Sequence, residues 1–132
     1  MGAIAYPQAD GLFKNPAYSH VAVASGARTV YISGQVAMDS QGNLVGAGDL
    51  AAQTEQVMRN LGLALAAAGA SFADVVKFNA YVTRADLTPV YRGARDRALG
   101  DIAPPASTLV VVAALAHPSW IIEIECVAAK GG

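Results

Sequence analysis

The stretch Pro104-Pro105-Ala106-Ser107-Thr108-Leu109, followed by Val110 to Leu115, a His117-Pro118 turn and Trp120-Ile121-Ile122-Glu123-Ile124-Glu125-Cys126, decides the fold. It reads as two β-strands joined by a tight turn. Strand side chains alternate faces, so Glu123 and Glu125 share one face while Ile122 and Ile124 point the other way. Two carboxylates in so apolar a strand mark a sheet face that is neither dry core nor ordinary surface.

Upstream, Val75 to Thr83 alternates in the same way, with Val76, Phe78, Ala80 and Val82 on one face and Lys77, Asn79, Tyr81 and Thr83 on the other. Val21 to Ser25, a Gly26 turn and Thr29 to Ser33 read as a hairpin. Residues 1–18, with Pro7, Gly11, Asn15 and Pro16, lack periodicity and read as a surface arm. Asp49 is a good N-cap for a long helix with Leu50, Val57, Leu61, Leu65 and Ala68 on one stripe and Gln53, Gln56 and Asn60 off it. Gly69 ends that helix, Ser71 to Asp74 forms a capped turn, and a more polar helix runs from Asp86 to Leu99.

The order is β-β-α-β-α-β-β. It predicts one α+β domain over residues 1–132, with a mixed sheet and both helices on one face. The other face carries Tyr31, Ser33, Lys77, Asn79, Glu123 and Glu125, a composition suited to a subunit interface that contains a wet cleft.

The chain is 54% hydrophobic and only 14% charged, against about a quarter in ordinary soluble domains. So few charges predict a partner surface, most simply a second copy of the chain. A net charge of −1 without a basic cluster argues against nucleic-acid binding. The single cysteine, Cys126, excludes an internal disulfide and fits a buried small hydrophobe. With no signal-like start and no membrane-length apolar run, the expected setting is cytoplasmic, away from any membrane. His20 and His117 lack acids at ligand spacing, so no metal site is expected. Nor do the glycines form a phosphate-binding loop.

Taken in order and spacing, these elements resemble the RidA (YjgF) family of reactive-intermediate deaminases. The resemblance rests on Tyr18, Ile32-Ser33-Gly34-Gln35, the helix from Asp49 to Gly69, Val75-Val76-Lys77, Tyr81-Val82, Asp86-Leu87, Pro105-Ala106-Ser107 and Ile122-Glu123-Ile124-Glu125. It implies a chorismate-mutase-like fold and a homotrimer with ligand clefts between subunits. The implied activity is cofactor-free hydrolysis of enamine or imine acids to 2-keto acids and ammonia. Ligand-binding positions carried over are Tyr18, Ser33, Gly34, Arg92, Ser107 and Leu109, with Glu123 as the catalytic acid or base.

One departure stands out. Active members of the family carry an arginine where this chain has Ser107, and no arginine follows Arg97. A guanidinium holds a carboxylate by a two-pronged, charge-assisted pair, whereas a hydroxyl offers one uncharged hydrogen bond. The exchange should weaken carboxylate anchoring by about 1.5–3 kcal/mol. Arg92 stands in for a helix asparagine of the family, and Leu109 for a cysteine in some members. The apolar wall of Leu109 and Val111 suits a less anionic carbonyl, imine or apolar ligand.

Three readings remain open: a hydrolase centred on Glu123, a non-catalytic binding or scaffold trimer, and the ribonuclease role of some relatives, which the missing basic patch disfavours. Glu123 itself reads equally as an acid or base that activates water and as a structural acid bonded to backbone amides. Arg92 and Arg95, three apart on one helix, read either as substitute anchors or as a solvated face.

Overall fold

The computed structural model describes residues 3–14 and 16–131. Met1, Gly2 and Asn15, all in the segment read as an arm, and Gly132 lie outside the described residues. The strands are β1 (Ala3–Ala5), β2 (Val23–Ser25), β3 (Ala27–Gln35), β4 (Val75–Val82), β5 (Ala106–Val111) and β6 (Ile122–Gly131). The helices are α1 (Leu50–Ala67) and α2 (Thr88–Leu99). β3, β6, β4 and β5 form one mixed sheet in that order, and β1 and β2 form a separate antiparallel pair.

Two expected pairings are not made. β2 pairs with β1 instead of folding back on β3, so the arm begins with a strand. A single residue, Gly26, separates β2 from β3, too short a link for the two-residue loops that favour hairpins. The two closing strands are not neighbours either. β4 lies between them, parallel to β5 and antiparallel to β6. The His117 turn does form, with Trp120 N–H donating to His117 O at 3.1 Å. It belongs to a connection that crosses the end of β4 (Thr83 N–H to Ile121 O, 3.3 Å).

The core lies between the helices and one face of the sheet. Phe78, Ala80 and Val82 of β4 and Ile122, Ile124, Cys126 and Ala128 of β6 are buried against Val57, Leu61 and Leu65 of α1 and Tyr91 and Leu99 of α2. In β4 the inward residue at the start is Val75, not Val76. A register shift between Val75 and Lys77 makes Val76 the extra residue of a bulge, which flips the alternation there.

Asp49 caps α1 by accepting from Ala52 N–H at 3.1 Å. Gly69, at φ 72°, continues the chain past Ala68 in the left-handed conformation that glycine tolerates. The second helical stretch is split: a 3-10 turn over Ala85–Leu87 precedes α2, which stops before Gly100.

The buried stripe of α1 is wider than the apolar residues alone show, since Gln53 and Thr54 are also fully buried. Thr54 Oγ1 donates to Leu50 O at 2.7 Å. Gln53 meets the demand that a buried amide be hydrogen-bonded. Its Nε2 donates to Gly46 O (3.1 Å) and Ser119 O (3.0 Å), and its Oε1 accepts from Ile121 N–H (3.1 Å). One side chain thus ties α1 to the entrance of the strand that carries Glu123.

Candidate functional site

The outer face of the sheet collects the residues expected there. Glu123, Glu125 and Val127 alternate with the buried residues of β6, and Lys77, Asn79 and Tyr81 do the same on β4. Tyr31 is 78% exposed on β3. Tyr81 Oη donates to Glu125 Oε1 at 2.9 Å, which gives the second carboxylate a structural partner. That bond, with the nearby charges of Glu125 and Glu123, raises the Tyr81 phenol above its ordinary pKa. Lys77 Nζ donates to Thr108 Oγ1 at 2.6 Å across to β5.

Glu123 is placed differently. β3 and β6 pair regularly from Ala27 to Ile32, then shift register, so Ser33 and Gly34 form a bulge before Gln35 pairs with Ile124. The Glu123 carboxylate lies directly over Gly34, where any Cβ would overlap it. Gly34 is therefore needed for this close approach. Gln35 Nε2 donates to Ser33 O at 3.0 Å and closes the bulge. The next residues are held from α1. Asn60 Nδ2 donates to Val36 O (3.0 Å) and Met38 O (2.9 Å), while Gln56 Nε2 donates to Asn60 Oδ1 (2.9 Å). A cavity of about 540 Å³ opens beside this loop, lined by Gly34, Met38, Arg59 and Leu63 among others.

The remaining expected residues lie at the other edge. β5 pairs in parallel with β4, with Ser107 opposite Phe78 and Leu109 opposite Ala80, which puts Ser107 and Leu109 on the helix side of the sheet. Leu109 packs against the core. The arm continues this edge: Ser19 bridges Ala106 in parallel, its N–H donating to Pro105 O (3.1 Å) and its Oγ to Pro104 O (2.6 Å). Tyr18 and His20 flank that bridge, with their rings edge to face at 5.1 Å. One chain thus brings Ser33, Gly34 and Glu123 together, and separately Tyr18, Ser107 and Leu109. β4 separates the two groups, and they face opposite sides of the sheet.

Arg92 is exposed on α2 and joins neither group. Arg95 does not share its surroundings, so the paired-arginine face is not formed. Arg95 is 5% exposed, lies over the Tyr91 ring at 5.6 Å and donates to Ala17 O at 3.0 Å and Asp96 Oδ1. It therefore fixes the residue before Tyr18. Its position was legible: Tyr91, Arg95 and Leu99 fall four apart on one helical stripe. Gln53 is the other missed residue, three from Leu50 and four from Val57. Cys126 is buried, and burial pushes its thiol up to about 11, which fits a packing role. Among the described residues no His, Cys, Asp and Glu cluster could hold a metal ion, and no helix is long and apolar enough to cross a membrane.

A family model described as Endoribonuclease L-PSP matches residues 12–130. A 2-iminobutanoate/2-iminopropanoate deaminase of Rattus norvegicus is 38% identical over 117 residues, covering 87% of this chain and 81% of that protein. The chain belongs to the RidA (YjgF) family. The Homo sapiens 2-iminobutanoate/2-iminopropanoate deaminase is 40% identical over 106 residues, covering 79% of this chain and 74% of that protein. Among solved structures, a Rid-family protein of unknown function from Yersinia pestis, YyfB, superposes with a TM-score of 0.89 at 35% identity, covering 96% of this chain and 98% of that one. RidA from an Antarctic Psychrobacter superposes at 0.71 with 35% identity, over 93% of this chain and 92% of that one. The RidA fold assigned from the sequence is the fold observed, in its α+β layers, two helices and mixed sheet.

Proposed function

We propose that this RidA-family chain hydrolyses a small imine or enamine in a cleft built between copies, with Glu123 as the acid–base group, and that it handles 2-imino acids less well than arginine-bearing relatives. The observation that carries the reading is the Glu123 carboxylate seated over the Gly34 backbone on an uncovered sheet face. A glycine bulge that admits one carboxylate, with its own loop pinned by Asn60, is costly as mere surface and useful as a preorganised base.

In this mechanism Glu123 takes a proton from water as its oxygen bonds to the imine carbon. The C=N pair moves to nitrogen, which is protonated. The resulting carbinolamine then loses ammonia as the C–N bond breaks and the carbonyl forms. No cofactor enters this balance. The deaminase names of the rat and human relatives support the reaction class. Ser107 in the anchor position supports the weaker hold on a carboxylate.

The division of the site favours assembly. Tyr18, Ser107 and Leu109 can meet Glu123 only if the β5 edge of one copy approaches the β3–β6 face of another. The low charge of the chain and the exposed Tyr31, Val110 and Val111 fit such a contact, and a trimer closes it by rotation. The test couples generation of 2-aminoacrylate or 2-iminobutanoate to ammonia release, with sedimentation measured on the same sample. Glu123→Gln should abolish acceleration, and the wild type should sediment as a trimer. Retained ligand binding with no turnover of any candidate in the wild type would instead make it a binding trimer. The name Endoribonuclease L-PSP raises RNA cleavage as a second activity. The net charge of −1 opposes it, and salt-sensitive RNA binding would restore it.

A further inference from the structure

Residues Tyr6 to Ala9 of the N-terminal arm border a second cavity, of about 310 Å³, whose other side is formed by Lys14, Pro16, Tyr18, Ser19 and His20. Its walls are the rings of Tyr6, Pro7, Pro16, Tyr18 and His20, and Lys14 supplies the charge. No Asp or Glu lines it among the described residues. Lys14, like Arg59 and Arg92, has no ion-pair or side-chain hydrogen-bond partner among the described residues, whereas the charged groups of Arg84, Arg95, Arg97 and Lys130 are each paired with a carboxylate. The His20 ring bonds the Phe13 carbonyl through Nε2 at 2.6 Å and meets the Tyr18 ring edge to face at 5.1 Å.

The register gives this cavity its meaning. Because Ser19 bridges Ala106 in parallel, His20 follows at the level of Ser107. The arm thus runs as a short extra strand beside the position where the family's arginine would stand, with Tyr18 and His20 on one side of it.

We propose that Lys14, in the ring-lined cavity of the arm, is the anion anchor of this chain, and that it selects a small planar carboxylate with an apolar tail. This rests on the reading of Ser107 as a vacated anchor. An ammonium is a point charge and not a fork, so it attracts the carboxylate without fixing its plane. The rings of Tyr6, Tyr18 and the prolines take the flat apolar part. His20 is a positioning residue that ties the Phe13 carbonyl to the Tyr18 ring.

The experiment measures binding of 2-oxobutanoate and of its uncharged amide by titration calorimetry at low and moderate salt. The wild type should prefer the acid, and Lys14→Met should lose about tenfold in affinity for the acid and nothing for the amide. Lys14→Arg should keep the preference, which a merely structural lysine would not predict. Glu123→Gln should bind the acid as the wild type does while losing turnover, so the two proposals fail separately. Equal binding of acid and amide by the wild type, or an unchanged acid affinity in Lys14→Met, would overturn the assignment.

Discussion

The two edges of the four-stranded sheet are built to different tolerances. At the β3–β6 edge the surroundings of Glu123 are fixed on one side: a glycine without room for a methyl group, a closed bulge, and a loop pinned by Gln56 and Asn60. At the β5 edge Ser107, read by resemblance as the arginine position, follows Ala106, which Ser19 bridges from an arm of rings and prolines whose Lys14 has no partner among the described residues. Acid–base chemistry demands placement to a fraction of an ångström, while ligand selection can be redistributed among neighbouring side chains. On the proposed reading, the acid–base group and the ligand-selecting residues sit on separate edges, and the departure from the family's pattern lies on the second.

The contrast breaks most sharply at Gly34. Gly34→Ala should displace the Glu123 carboxylate and cut turnover by about 100-fold or more, the scale of a lost acid–base group, while the chain stays folded. Steady-state ammonia release beside a thermal melt checks this, and full activity in the variant would remove the close approach from the mechanism. Next comes the support beneath that edge. Gln53→Leu keeps the volume but strands two carbonyls and the Ile121 N–H, and should cost about 2–4 kcal/mol in urea unfolding. A loss under half that would show that water replaces the amide.

Ser107→Arg probes the looser edge. Restoring the fork should raise kcat/KM on 2-iminobutanoate by about 10- to 100-fold, the rate equivalent of a charged hydrogen bond pair, and should leave the melting temperature unmoved. If the rate does not rise, the β5 edge does not meet Glu123 of another copy.

The same contrast explains what could be read from the chain. The tight edge was legible in part: local alternation puts Glu123 and Ile122 on opposite faces, whereas the strand read as ending at Ser33 runs through a bulge to Gln35, a pairing that only its partner β6 fixes. Pairing was less legible. The apolar runs of β5 and β6 suit a hairpin as well as strands flanking β4, and only long-range packing separates the two. Gln53 and Arg95 were missed because residue type outweighed position. Each lies on the buried stripe of its helix, where a long polar side chain is stable only if distant backbone groups meet it, and those groups (Ser119, Ile121 and Ala17) come from segments with no periodic signal of their own.

The smallest expected effect concerns Glu125, the carboxylate given no part in the proposed reaction. Its bond from Tyr81 raises the phenol's pKa in the folded chain, so the bond's contribution is complete below the ordinary tyrosine value of 10.0 and is lost as pH rises through the raised one. Tyr81→Phe should therefore lower the melting temperature slightly at pH 7, less than Gln53→Leu does, and the gap from the wild type should close at strongly alkaline pH. Turnover should stay near the wild-type level, because Tyr81 bonds Glu125 and not Glu123. A collapse of activity in Tyr81→Phe would mean that the two carboxylates act as one unit, and the separation of structural from reactive acid on β6 would have to be withdrawn.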